Sequence, residues 1–347
     1  MRLRLAIAAV VLQVLMLAYI AGEREWILRT GRTVWLRTAP IDPRDVMRGD
    51  YVRLDYDISR VERALWRDGL AVTNRTEELT RRDKEVFASL RDSPDGRAEI
   101  VSLSDRRPTE GLFLRGRVEP SWGGTLKVRY GIEAFFMEQG RAEKLENQRS
   151  QERRGVPLNM EVAIGSGGIG VLKGYRWESL GITVEFDTLR RTNHSGGFPR
   201  QQSLITAAKV ELKNHGPEDV AIVDFTEGRS FALVPDTRWG DTHYRWPGET
   251  NTVPHPQPEN IIVLKPGQSH YTRLDLTRPE WFVVDTRPET QTTNAVPLQK
   301  LEQDWNARFR LEYRPPPAEA CAGLQNAKLI YQGRLPSRAF NPVGMVD

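Results

Sequence analysis

The chain has 347 residues, enough for two domains, with 50 basic and 46 acidic side chains interleaved along its length. It carries no block of like charge, which argues against nucleic acid as a partner, because that contact needs a clustered basic face. The single cysteine, Cys321, excludes an internal disulfide and a CxxC metal or redox pair.

Arg2 and Arg4 precede an apolar run over residues 5–22, in which Gln13 is the strongly polar exception. At about 1.5 Å per residue, a helix of that length spans roughly 27 Å, close to a bilayer core. The run ends Ala18-Tyr19-Ile20-Ala21-Gly22, a poor match to a small-x-small cleavage site. No cysteine near residue 20 offers a lipid attachment point. Residues 1–25 are therefore expected to be an uncleaved single-pass anchor that contacts the bilayer through residues 5–22. The N-terminal arginines place the N-terminus in the cytoplasm. Arg24 and Arg29 follow the run, but Glu23 and Glu25 accompany them. The expected location is the inner (cytoplasmic) membrane, with the bulk of the chain in the periplasm.

Residues 26–189 read as a β-rich first domain with one or two short helices. Residues 33–38 form a strand. Pro40 and Pro43 then fix φ and withhold two donors, so residues 40–48 form a rigid loop. That loop presents Asp42, Arg44, Asp45, Arg48 and Asp50 together. Gly49-Asp50 turns the chain into a second strand. Alternation puts Val52, Leu54, Tyr56 and Ile58 on its core face. Tyr51, Arg53, Asp55 and Asp57 share the other face. Two readings of the loop stand: a self-neutralising charged loop that sets strand register, or a site built on Asp42, Arg44, Asp45, Asp50 and Tyr51.

Ser59-Arg60-Val61-Glu62 has the form of a capping box, which predicts a short helix over residues 60–68. Residues 86–91 and 98–103 flank Asp92-Ser93-Pro94-Asp95-Gly96, a hairpin turn. Residues 112–118 are a strand. A long alternation follows, with Leu126, Val128, Tyr130, Ile132, Ala134 and Phe136 on one face. Residues 160–164 and 171–175 make another hairpin about the turn at 165–168.

The residues Gly49, Asp50, Tyr51, Leu54 and Tyr56 fit, at every named position, the pattern that names the GDYXXLXY family of bacterial membrane-anchored proteins. Tyr130-Gly131-Ile132-Glu133, followed by Phe135, Phe136 and Glu138, resembles a second recurring stretch of that family. The resemblance covers about the first half of the chain. It implies no assigned biochemical activity. Members often occur alongside multi-pass membrane proteins, so it implies a partner of that kind.

Residues 190–204 are polar and contain Gly196 and Gly197, which suits a linker. Residues 205–347 read as an immunoglobulin-like β-sandwich. Strands are expected at 210–214, 220–225, 230–234, 261–264, 271–276 and 307–313, with a Pro266-Gly267 turn between two of them. The paired cysteines and tryptophan of antibody domains are missing, so the likeness is one of architecture. The fold class is thus mainly β, behind one transmembrane helix.

Chemistry-bearing patterns are sparse. The five histidines show no HExxH or paired HxH spacing. Gly165-Ser166-Gly167 lacks the frame of a nucleophile elbow. No phosphate-binding glycine motif occurs. No catalytic residue, cofactor or metal is therefore expected. The densest aromatic stretch carries Trp239, Asp241, His243, Tyr244, Trp246 and His255. It reads as a lid folded on the sandwich, as a glycan or partner surface, or as a metal site with Asp236, Asp241 and His243. The functional expectation is a non-enzymatic binding or assembly module. The alternative is envelope-polymer binding through residues 239–246, with a hydrolase built on the 42–50 loop behind both.

Overall fold

The computed structural model describes residues 2–39, 51–72, 83–93, 96–119, 125–136, 144–145, 147–148, 155–195, 198–236, 243–250, 254–287, 294–301 and 307–343. The chain is mainly β with one long N-terminal helix. That helix, α1 (Arg2–Thr30), is long and apolar enough to cross a membrane. It runs past the apolar stretch into Glu23-Arg24-Glu25, and the side chains of residues 6–26 are exposed.

Gly31 ends α1. Its N–H donates to the Ile27 carbonyl at 2.8 Å. A Cβ at Gly31 would lie 2.5 Å from that oxygen, so only glycine fits the turn into the first strand.

Among the described residues the first unit holds ten strands. Strands β1 (Arg32–Arg37), β2 (Tyr51–Arg53), β3 (Arg60–Glu62), β4 (Glu85–Asp92) and β5 (Ala98–Ser104) lead it. Strands β6 (Leu112–Glu119), β7 (Thr125–Arg129), β8 (Ala134–Phe136), β9 (Leu158–Ile164) and β10 (Gly170–Trp177) complete it. They form sheets β1-β9-β10 and β3-β7-β6-β4-β5, with β2 paired to β8. The inner faces of these sheets meet in one core that includes Leu36, Tyr56, Leu114, Leu126 and Met160. Apolar alternation along each strand generates those faces.

Strand β9 is buried on both faces. Its even-numbered residues Leu158 to Ile164 enter the core. On the other face, Ala163 is covered by Ile27 of α1. Asn159, also fully buried, is covered at the opposite end of the strand by Glu178.

The predicted hairpins over residues 86–103 and 160–175 form as β4–β5 and β9–β10. The predicted helix over residues 60–68 does not. Val61 is fully buried and pairs with Leu126 of β7, so residues 60–62 are a strand. The short helix α2 (Asp68–Val72) comes later. Local capping chemistry lost here to a cross-strand apolar pair.

The second unit wraps a separate core that starts at Leu180. Strands β11 (Leu180–Ser195) and β12 (Phe198–Asn214) form one long hairpin. The stretch read as a linker, residues 190–204, is therefore, over its described residues, the outer part of a two-stranded ribbon. Its backbone is paired strand rather than a break between domains. The unit boundary shifts to the residues between Trp177, packed on the first core, and Leu180 in the second.

The remaining strands are β13 (Val220–Val223), β14 (Phe231–Pro235), β15 (Tyr244–Arg245), β16 (Ile261–Leu264) and β17 (Ser269–Asp275). After them come β18 (Val283–Asp285), β19 (Ala295–Val296), β20 (Phe309–Tyr313) and β21 (Leu335–Pro336). They fall into the small sheets β11-β12-β17, β13-β16, β14-β20-β21 and β15-β18-β19. Most of their inner faces share one core that includes Leu212, Phe231, Phe309 and Tyr313.

Leu180 and Ile182 of β11 are core residues of the second unit. A fragment of residues 179–347 is therefore expected to melt cooperatively by circular dichroism, and a fragment of residues 205–347 is not. Equal melting of the two fragments would place β11 outside the second unit.

Candidate functional site

The segment that starts at Tyr51 lies antiparallel to the segment over residues 125–136. Tyr51 pairs with Phe136 and Arg53 with Ala134. Farther on, Arg60 pairs with Lys127 and Glu62 with Thr125. The register is the same before and after the middle, yet the middle is not a ladder. Residues 57–59 form a single tight helical turn, and Gly131 takes φ +80° opposite it.

Two tyrosines replace the missing ladder bonds. The Tyr56 hydroxyl donates to the Ile132 carbonyl at 2.8 Å. The Tyr130 hydroxyl donates to the Ile58 carbonyl at 2.8 Å. Each tyrosine thus crosses to the other's segment. The Leu54 N–H reaches the Glu133 carbonyl at 2.8 Å. The Glu133 carboxylate accepts from the N–H groups of Tyr130 and Gly131, at 2.5 and 2.9 Å, and holds the turn. Burial pushes both hydroxyls well above the usual phenol range, and the charge of Glu133 adds to the effect. They therefore remain protonated donors.

The apolar face read from alternation is present. Leu54 is 2% exposed, Tyr56 1% and Ile58 5%. The continuous strand expected there is broken after Arg53, and the expected 126–136 strand is broken at Gly131. In both, side-chain hydrogen bonds stand in for backbone pairing.

This lock fixes the chain on which the 40–50 segment starts and ends. Thr38 bridges to Tyr56, and the Ala39 N–H donates to the Asp55 carbonyl at 2.8 Å. Asp42, Arg44, Asp45, Arg48, Gly49 and Asp50 lie outside the described residues. Tyr51 lies in β2 by its backbone. Asp55 is held by Arg60 at 2.9 Å.

Beside Thr38 and Ala39 runs a polar seam between the two units. The Arg37 guanidinium is buried and donates to the Arg334 carbonyl, 297 residues away. It also reaches the Tyr331 hydroxyl at 3.4 Å and Glu178 at 3.7 Å. Asn159 donates to the same Glu178 oxygen. Arg310 and Asp236, both buried, pair at 3.3 Å. Asp57 is exposed and lies within electrostatic reach of Arg37, Arg310 and Arg97. Desolvation by the surrounding chain raises its carboxyl from the usual value, while those arginines pull it down. Sequence reading missed this seam. Its members are far apart in the chain, and Arg37 sits on the strand face that alternation assigns to solvent.

The described residues of the aromatic stretch divide between core and surface. Trp239 and Asp241 lie outside the described residues. His243 is exposed. Tyr244 is buried in the second core, and Trp246 stacks on Trp281 with ring centroids 5.7 Å apart. The Trp246 indole N–H donates to the Glu280 carbonyl at 2.8 Å. Burial of Tyr244 and Trp246 fits the reading of this stretch as a lid folded on the sandwich and goes against the surface reading for these two residues. Asp236 is engaged by Arg310 instead of joining His243. Among the described residues, no group of three or more His, Cys, Asp or Glu side chains comes together as a metal site.

The structure also joins His270 to Asp224 at 2.7 Å, and Thr272 donates to the same carboxylate oxygen. That pair aligns no nucleophile on the imidazole among the described residues. Cys321 is buried, and burial pushes its thiol pKa up.

The lock joins the two stretches that define a known sequence pattern. The model of the GDYXXLXY proteins matches residues 13–174. Over that span the chain is similar to the GDYXXLXY proteins. The match runs from within α1 to within β10, so it covers most of the long helix and nearly all of the first unit. The second unit lies beyond the GDYXXLXY match. No curated protein matches the chain, and no solved structure does.

Leu54 and Tyr56 fill the first core. Leu54→Ala and Tyr56→Ala are each expected to lower stability by about 2–5 kcal/mol in chemical denaturation of the full chain, the range for truncating large core side chains. A wild-type unfolding midpoint for Tyr56→Ala would show that the motif does not hold the first unit together.

Proposed function

We propose that this protein is a non-enzymatic, single-pass envelope protein that binds or assembles with another membrane protein. In this reading the N-terminus is cytoplasmic and both β units are periplasmic, the second as an immunoglobulin-like sandwich. The observation that carries it is α1, whose apolar side chains over residues 6–20 are exposed and whose C-terminal end is built into the first unit. Arg2 and Arg4 on the leading side support the orientation. A multi-pass membrane protein is the partner that the family resemblance implies.

The contact we assign is the charged segment of residues 40–50. Binding residues are often carried between the ends of a rigid scaffold, which limits where they can be presented. Here the scaffold is the tyrosine lock. The envelope-polymer reading is weaker, because Tyr244 and Trp246 pack into the second unit.

A photo-crosslinker placed at Asp45 of the full-length chain, in native membranes, tests the reading. The expected outcome is a crosslink to a multi-pass membrane protein that Asp50→Ala or Arg44→Ala weakens. Retention of the solubilised chain on peptidoglycan, with no crosslinked protein, would favour the polymer reading instead.

A further inference from the structure

We infer that the membrane-near end of the first unit is a lipid-headgroup contact surface, formed by Trp26, Arg107 and the turn at residues 165–168. This rests on the reading of α1 as a bilayer anchor. The apolar run of α1 stops at Gly22, and the first helix residue that packs on the β body is Ile27. Five residues of helix rise about 7.5 Å, against about 5–7 Å for one headgroup layer. The β body therefore starts where the headgroups end.

The joint is rigid as well as short. Ile27 is 5% exposed and packs with Ala163 and Val171. Gly165 leaves room for it, since a Cβ there would lie 2.9 Å from the Ile27 side chain. Helix and sheet thus interlock without a linker, and one face of the body must point at the membrane.

The groups on that face suit headgroups. Ser166 is exposed at the tip of a turn closed by the Gly168 N–H on the Gly165 carbonyl at 2.9 Å. Strand β6 holds the same turn from the side, because the Arg115 N–H donates to the Gly168 carbonyl at 2.8 Å. Arg107 is exposed and donates to the Ser166 carbonyl at 2.9 Å, with its guanidinium over the Phe113 ring. Among the described residues it has no acidic partner, which leaves donors for a lipid phosphate. Trp26 is 68% exposed. An indole with an apolar body and one polar N–H belongs at a membrane interface.

The test uses the full-length chain in phosphatidylcholine–phosphatidylglycerol vesicles. Cys321 is 1% exposed, so a spin label goes to a new cysteine from Ser166→Cys, or from Arg176→Cys at the far end of β10. A nickel-chelating headgroup lipid is the relaxing agent. Relaxation at position 166 is expected to be several-fold stronger than at position 176. A Gly-Ser linker inserted between Thr30 and Gly31 is expected to remove most of that difference. Equal relaxation at the two positions, in a chain that resists a carbonate wash, would overturn the headgroup contact alone. Release of the chain by carbonate would overturn the anchor and the contact together.

Discussion

The first unit depends on two hydroxyl groups that cross between the same two segments. Tyr56 reaches the Ile132 carbonyl and Tyr130 reaches the Ile58 carbonyl. Both bonds are buried, where an unpaired carbonyl costs about 1–3 kcal/mol. Each hydroxyl satisfies a backbone group that the interrupted ladder leaves open. The interruption is symmetric, with a tight turn on one segment and a left-handed glycine on the other, so the pairing resumes in the same register. The two family stretches are thus halves of one structural device.

Three other features hang on that device. The chain leaves β1 toward residues 40–50 at Thr38 and Ala39, both tied to the segment that carries Tyr56. The polar seam begins one residue before Thr38, at Arg37, and reaches the second unit through Arg334, Tyr331 and Glu178. Removing one member of such a buried network costs about 3–5 kcal/mol, because a charge is left unpaired. At the other end of β1, Gly31 and Ile27 join the sheet to α1. One six-residue strand therefore links the long N-terminal helix, the charged segment and the seam.

Much of this was legible in the sequence where a local period decides the outcome. Alternation placed Leu54, Tyr56 and Ile58 in the core, and the strand pairs around residues 93–97 and 165–168 formed as read. What local patterns missed depends on distant partners. Val61 became a strand residue because Leu126 lies opposite it. Residues 190–204 looked like a linker because they are polar and contain glycines, while their pairing is set by β11 against β12. The aromatic stretch left a lid and a surface open, and Trp281, well beyond Trp246 in the chain, supplies the stacking partner that decides for the lid at Trp246. Arg37 gave no signal, because its acceptors come from the far end of the chain.

The central claim is that Tyr56 and Tyr130 act as one lock. A double-mutant cycle with Tyr56→Phe and Tyr130→Phe, read by chemical denaturation of the full-length chain, tests it most directly. The lock predicts a coupling energy of about 0.5–3 kcal/mol, because loss of one bond loosens the segments that the other holds. Effects that add to within about 0.3–0.5 kcal/mol would mean two independent hydrogen bonds, and would contradict the account.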